Sequence, residues 1–120
     1  MAEVIGAIRQ KWLALGGESG FGAALDIERP TFDGVGRAQS FNRGGTISWH
    51  PSIGAFAVWG AIGAKWIELG RERSSLGYPT SDEFASTQVG RGGRRSNFQR
   101  GFVTWTPSGG VRVHGPVRID

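Results

Sequence analysis

The sequence has no cysteine, which removes disulfides, thiol catalysis and every cysteine-ligated metal site at once. It has two histidines, His50 and His114, at non-equivalent places and with no cysteine or further histidine beside either. A zinc site takes three or four protein ligands, so neither a metal nor a cofactor is expected. No run of 18 apolar residues is present, so no transmembrane helix and no membrane insertion are expected. The N-terminal stretch Met1-Ala2-Glu3-Val4 lacks the charged-then-apolar build of a secretory signal. Either the chain is not exported by that route or it was cut from a longer one. There is no Gly-x-Ser-x-Gly elbow and no phosphate loop ending in Gly-Lys-Ser/Thr. Catalytic machinery is not visible, and a non-enzymatic role is expected. The net charge of +4 is modest and by itself argues only weakly for an anionic partner.

Two residue types are in excess. Glycine accounts for 21 of 120 positions, against a usual share of roughly 7%, so tight turns must recur. Five tryptophans supply large, flat, amphipathic surfaces. With 38% hydrophobic residues the chain can bury a core, and its length suits a single domain.

The chain repeats itself. Gly6-Ala7-Ile8-Arg9-Gln10-Lys11-Trp12-Leu13-Ala14-Leu15-Gly16 matches Gly60-Ala61-Ile62-Gly63-Ala64-Lys65-Trp66-Ile67-Glu68-Leu69-Gly70 at an offset of 54. Phe41-Asn42-Arg43-Gly44 matches Phe98-Gln99-Arg100-Gly101, and Ile47-Ser48-Trp49-His50-Pro51 matches Val103-Thr104-Trp105-Thr106-Pro107. Val58-Trp59-Gly60 aligns with Val113-His114-Gly115. The expected organisation is one domain of two repeats, about 4–59 and 60–115, with the start of a third at 115–120. So small a unit does not easily bury its apolar face alone.

Within a unit, Ile62, Trp66 and Leu69 fall at i, i+4 and i+7, and Ile8, Trp12 and Leu15 repeat that spacing. This is one apolar stripe of a helix, expected over about 4–15 and 61–69. Gly16-Gly17 and Gly70 supply the left-handed stop. Alternation around Trp49 and Trp105, followed by the turn signals Pro51-Ser52-Ile53-Gly54 and Pro107-Ser108-Gly109-Gly110, predicts a β-hairpin in each unit. The segments 26–40 and 80–97 are polar and glycine-rich and are expected as long loops. The predicted class is α+β: a tandem repeat of a short helix plus a hairpin.

The second unit, with Leu76-Gly77-Tyr78-Pro79, Asp82-Glu83, Phe98-Gln99-Arg100-Gly101 and Val103-Thr104-Trp105-Thr106-Pro107, closely resembles the LGFP repeat, named for its Leu-Gly-Phe-Pro tetrad. The first unit departs at the tetrad, reading Phe21-Gly22-Ala23-Ala24, and keeps only Glu28 of the acidic pair. The resemblance implies a module found in actinobacterial surface and secreted proteins, appended to enzymes such as mycolyltransferases and peptidoglycan hydrolases. There it anchors them to the cell wall through arabinogalactan or peptidoglycan, and arrays of such repeats form a pseudo-symmetric, ring-like domain. A short chain without a signal also fits a phage-borne or cytoplasmic relative.

Several residues are candidates for a ligand site. Trp12 and Trp66, on the helix stripe, read as core. Trp49 and Trp105 lie on a hairpin strand with one wet face and serve either as core or as a platform for a sugar ring. Trp59 has no tryptophan counterpart in the second unit. Tyr78 is either part of a rigid turn or a hydroxyl at a site. Asp82, Glu83 and Glu28 either cap backbone or bond sugar hydroxyls. Adjacent acids are unsuited to glycoside hydrolysis, which needs two carboxylates facing each other about 5–9 Å apart. The basic cluster Arg91, Arg94, Arg95 and Arg100 is either a solvated loop or a polyanion contact. The leading expectation is a carbohydrate-binding, wall-anchoring module whose partner is cell-wall polysaccharide and whose place is the wall or extracellular space. The alternatives are an assembly module that forms a homo-oligomer to complete a repeat ring, and polyanion or nucleic-acid binding through the arginines.

Overall fold

The structure is a computed structural model, and it describes residues 3–115. The start of a third repeat expected at 115–120 lies, beyond Gly115, outside the described residues. Helix α1 spans Gly6–Ala14, a short helical turn α2 spans Gly17–Gly20, and α3 spans Gly60–Leu69. A single 3-10 turn follows at Arg71–Arg73. Strands β1 (Arg29–Pro30), β2 (Arg37–Ser40), β3 (Thr46–His50) and β4 (Gly54–Val58) make one antiparallel sheet in sequence order. Strands β5 (Phe84–Ala85), β6 (Arg94–Phe98), β7 (Gly101–Thr106) and β8 (Gly110–His114) make a second. The class is α+β, and each sheet is an open meander whose ends do not meet.

The helices form where the apolar stripe predicts them. Their entries are glycines at φ near +60°, Gly6 and Gly60, and their exits are Gly16 at +100° and Gly70 at +116°. An L side chain would be strained at these angles.

The expected hairpins are present as β3–β4 and β7–β8, but the expected long loops are not loops. Residues 26–40 and 80–97 carry β1, β2, β5 and β6, which widen each hairpin to four strands. The reason is chemical. The inward positions of the added strands are polar: Gln39 is 2% exposed and Ser96 is 0% exposed. A strand whose buried face is polar shows no apolar alternation, and it is held by the backbone ladder to its neighbour. A second correction concerns alignment. Thr46 pairs with Val58 and Phe102 pairs with His114, so His114 holds the place of Val58, and Trp59 corresponds in register to Gly115 rather than to His114.

Each helix packs on its own sheet. The first core joins Val4, Ile8, Phe21, Phe41, Ile47 and Ala57, with Trp12 and Trp49 at its rim. The second joins Ile62, Trp66, Leu76, Phe98 and Val103, with Trp105 at its rim. The junction is interleaved: Val58, at the end of β4, belongs to the second core, while its neighbour Trp59 packs on the first.

The copies agree down to single polar ties. Trp12 Nε1 donates to the Gly22 carbonyl at 2.8 Å, and Trp66 Nε1 donates to the Gly77 carbonyl at 3.0 Å. Trp12 lies over Phe41 and Trp66 over Phe98, with centroids 6.3 and 6.0 Å apart. The Ala23 amide donates to Asn42 Oδ1 and the Tyr78 amide to Gln99 Oε1, both at 3.1 Å. Arg43 reaches the Gly20 carbonyl as Arg100 reaches that of Ser75. Buried polar groups need partners, and for these ties both units use the same ones.

Candidate functional site

Three residues recur together. In the second repeat, Arg94 of β6 pairs in register with Trp105 of β7, and cross-strand partners project on one face. Arg94 Nε donates to Glu83 Oε2 at 2.9 Å, with the Glu83 side chain only 10% exposed. Trp105, Arg94 and Glu83 line a hollow of about 350 Å³ closed on one side by the start of α3, Gly60 to Ile62. In the first repeat, Arg37 pairs in register with Trp49, and its Nε stands 3.6 Å from Glu28 Oε2. An aromatic ring bordered by an ion pair thus stands at the same place in both units. Trp49 and Trp105 are half-buried. They belong to the core at one edge and leave the other edge wet, so the two readings of these residues are not exclusive.

The other candidate residues have other duties. Tyr78 is buried at the junction of the repeats, 4% exposed. Its hydroxyl donates to Asp33 Oδ2 at 2.8 Å and shares a 2.6 Å hydrogen bond with Thr31 Oγ1, both in the first repeat. The ring meets His50 edge-on with centroids 5.1 Å apart. Burial, reinforced by the Asp33 carboxylate, pushes the Tyr78 phenol up to about 12. The Gly36 and Val35 amides, then the Tyr78 hydroxyl, hold Asp33 well below the usual carboxylate range. Asp82 is also a junction residue. It accepts the Ala57 amide on Oδ1 and ion-pairs with Lys11 through Oδ2, each at 2.8 Å. The adjacent acids therefore part company, Asp82 to the junction and Glu83 to the tryptophan hollow.

The basic cluster is dispersed in the same way. Arg94 belongs to the hollow. Arg95, its strand neighbour, points to the opposite face, where its guanidinium lies 3.7 Å from the centre of the Phe102 ring. Arg100, exposed in a turn, binds the Ser74 and Ser75 carbonyls, and Arg91 is exposed in the turn before β6. Trp59 is half-buried and lines a separate hollow of about 260 Å³ with Leu15, Phe21 and Arg43.

Sequence reasoning missed Arg37 as a site residue and the buried Glu72, whose carboxylate accepts the Ser48 hydroxyl at 2.6 Å across the junction. Arg37 was legible in principle, since it lies 12 residues before Trp49 as Arg94 lies 11 before Trp105. Among the described residues, no cluster of three or more histidine or acidic side chains is arranged to hold a metal. No helix among them is long and apolar enough to cross a membrane.

The family model described as LGFP repeat matches twice, over residues 21–74 and 76–119. The chain belongs to the LGFP repeat family. The matched segments begin at Phe21 and Leu76, so the LGFP unit is counted from the tetrad through the sheet, and the first match runs on into α3 and the 3-10 turn. In this LGFP protein the tetrad glycines, Gly22 and Gly77, are the residues whose carbonyls receive the helix tryptophans. A search of curated proteins finds no match.

Proposed function

We propose that the chain is a non-catalytic polysaccharide-binding module that anchors to actinobacterial cell-wall polysaccharide, arabinogalactan or peptidoglycan. The observation that carries this reading is the doubled corner: Trp49 with Arg37 and Glu28, and Trp105 with Arg94 and Glu83. A tryptophan face accepts the apolar side of a sugar ring, and a fixed ion pair at its rim offers both donors and acceptors to hydroxyls. Two equivalent corners on one chain raise the local concentration of each site for a repeating polymer. Weak single contacts then add to useful retention. Tyr78, Asp82 and Trp59 are not part of the corner.

The test is retention of the chain on purified actinobacterial wall, and on wall stripped of arabinogalactan. Retention on the intact wall is expected, and loss after stripping assigns arabinogalactan. Passage through both columns contradicts the reading.

A second reading is favoured by one observation. The outer face of the first sheet is covered by the second repeat, through Ser48 and Glu72. The corresponding face of the second sheet carries an open stack in which Arg95 and His114 flank Phe102, with 4.5 Å between the His114 and Phe102 centroids. A further copy seated there would extend the array toward a ring. Sedimentation velocity over a wide concentration range decides it: a monomer throughout excludes assembly. Nucleic-acid binding gains little support, because the arginines it needs are spread over both faces of the sheet.

A further inference from the structure

A groove of about 640 Å³, larger than the hollow at Trp105, runs where the first sheet meets the 3-10 turn of the second repeat. One wall is apolar and unusually bare: Leu25, Ile27 and Phe32 are 65%, 61% and 59% exposed. The other wall carries Arg71 and Arg73, which form no ion pair among the described residues. The two acids of the groove are already engaged, Asp26 with Arg29 and Glu72 with Ser48.

Arg71 adds the decisive detail. It is the one non-glycine residue described at positive φ, +59°. The equivalent position in the first repeat is Gly17, at +62°. The repeat therefore requires a left-handed residue here, and glycine takes that conformation without strain. The second repeat instead places there a long cationic side chain that lines the groove. Strain of this kind persists where surrounding structure enforces it, and it concentrates at functional positions.

We propose that this inter-repeat groove binds an acidic saccharide segment. Arg71 and Arg73 take its carboxylate or phosphate, and the Leu25–Ile27–Phe32 wall takes the apolar face of a ring. The inference rests on the polysaccharide reading above but uses none of the tryptophan corners. Carboxylate and phosphate share the chemistry that two guanidinium groups recognise.

The experiment is affinity electrophoresis of the full chain through gels containing polygalacturonate, its fully methyl-esterified neutral form, or a phosphomannan. Wild type is retarded by one or both acidic polymers and not by the ester, and the stronger of the two names the anion. Arg71→Gly weakens that binding at least tenfold while its Tm stays equal or rises, because the substitution relieves strain. Arg73→Gln weakens it as well. Arg112→Gln, on the far sheet, leaves it unchanged. Equal binding by wild type and Arg71→Gly overturns the proposal. So does an equal loss in Arg112→Gln, which would mean attraction to net charge alone. Equal binding of the ester also overturns it, as does equal binding of duplex DNA. Should wall retention succeed while neither acidic polymer binds, the groove assignment falls and the tryptophan corners stand. Should wall retention fail while the acidic polymers bind through Arg71, the converse holds.

Discussion

The two repeats spend the same residues on their interiors and different residues on their boundaries. Inside, Trp12 and Trp66 each donate to a tetrad glycine, and Asn42 and Gln99 each catch the next amide. At the boundary, the second repeat grips the first with Tyr78, Glu72 and Asp82. The corresponding residues of the first repeat are Ala23, Glu18 and Ile27. Glu18 and Ile27 are exposed, and Ala23 has no hydroxyl to offer. The lesson is that the repeat's geometry is fixed by its internal ties, while the docking contacts are free to vary with what sits next door. The corner of tryptophan, arginine and glutamate follows the first pattern, because it recurs in both units and its ion pairs stay within each repeat.

The comparison is sharpened most strongly in the cores. Trp66 is fully buried, whereas Trp12 is half-buried. Trp66→Ala is expected to cost about 3–5 kcal/mol, and Trp12→Ala clearly less, as read by urea denaturation. Equal losses would show that the two helices are anchored alike despite their different cover.

The junction comes next. Tyr78→Phe keeps the ring but deletes a hydrogen bond to the Asp33 carboxylate, at an expected cost of about 1.5–3 kcal/mol. The same change alters the pH response. The phenol ionises only near 12 in the folded chain, against 10 for its ordinary value. Folding therefore favours its neutral form, and that contribution is complete below pH 10 and lost as pH rises toward 12. Thermal melts across this range should fall for the wild type and show a smaller fall for Tyr78→Phe. Identical slopes would remove Tyr78 from the junction's energetics.

The smallest effect concerns the polar strands. Gln39 bonds two backbone carbonyls, while its register counterpart Ser96 leaves its Oγ buried without a partner among the described residues. Ser96→Ala is expected to be neutral or stabilising by roughly 0–1 kcal/mol, since it removes an unpaid desolvation cost. A loss above that range would reveal a partner for Ser96.

The same contrasts explain what was legible in the sequence. The helices and hairpins were, because Ile62, Trp66 and Leu69 or Val103 and Trp105 carry their period in apolar residues. The strands β2 and β6 were not, because Gln39 and Ser96 bury polarity where a pattern reader looks for oil. Trp49, Trp105, Glu28 and Glu83 were found as types, but their assembly with Arg37 and Arg94 depends on those same unread strands. Tyr78 and Asp82 read as site residues because a polar group beside a tight turn looks the same whether it faces a ligand or a neighbouring repeat. Only the packing of one repeat on the other separates the two roles.

The central claim is that the two tryptophan corners bind polysaccharide as equivalent sites. It is tested most directly by binding isotherms on insoluble wall polysaccharide for Glu28→Gln, Glu83→Gln and the double variant, with Trp105→Phe alongside and folding checked by near-UV circular dichroism. Each single variant should weaken binding, and the double variant should weaken it by more than either. A folded double variant that binds as tightly as the wild type would contradict the account.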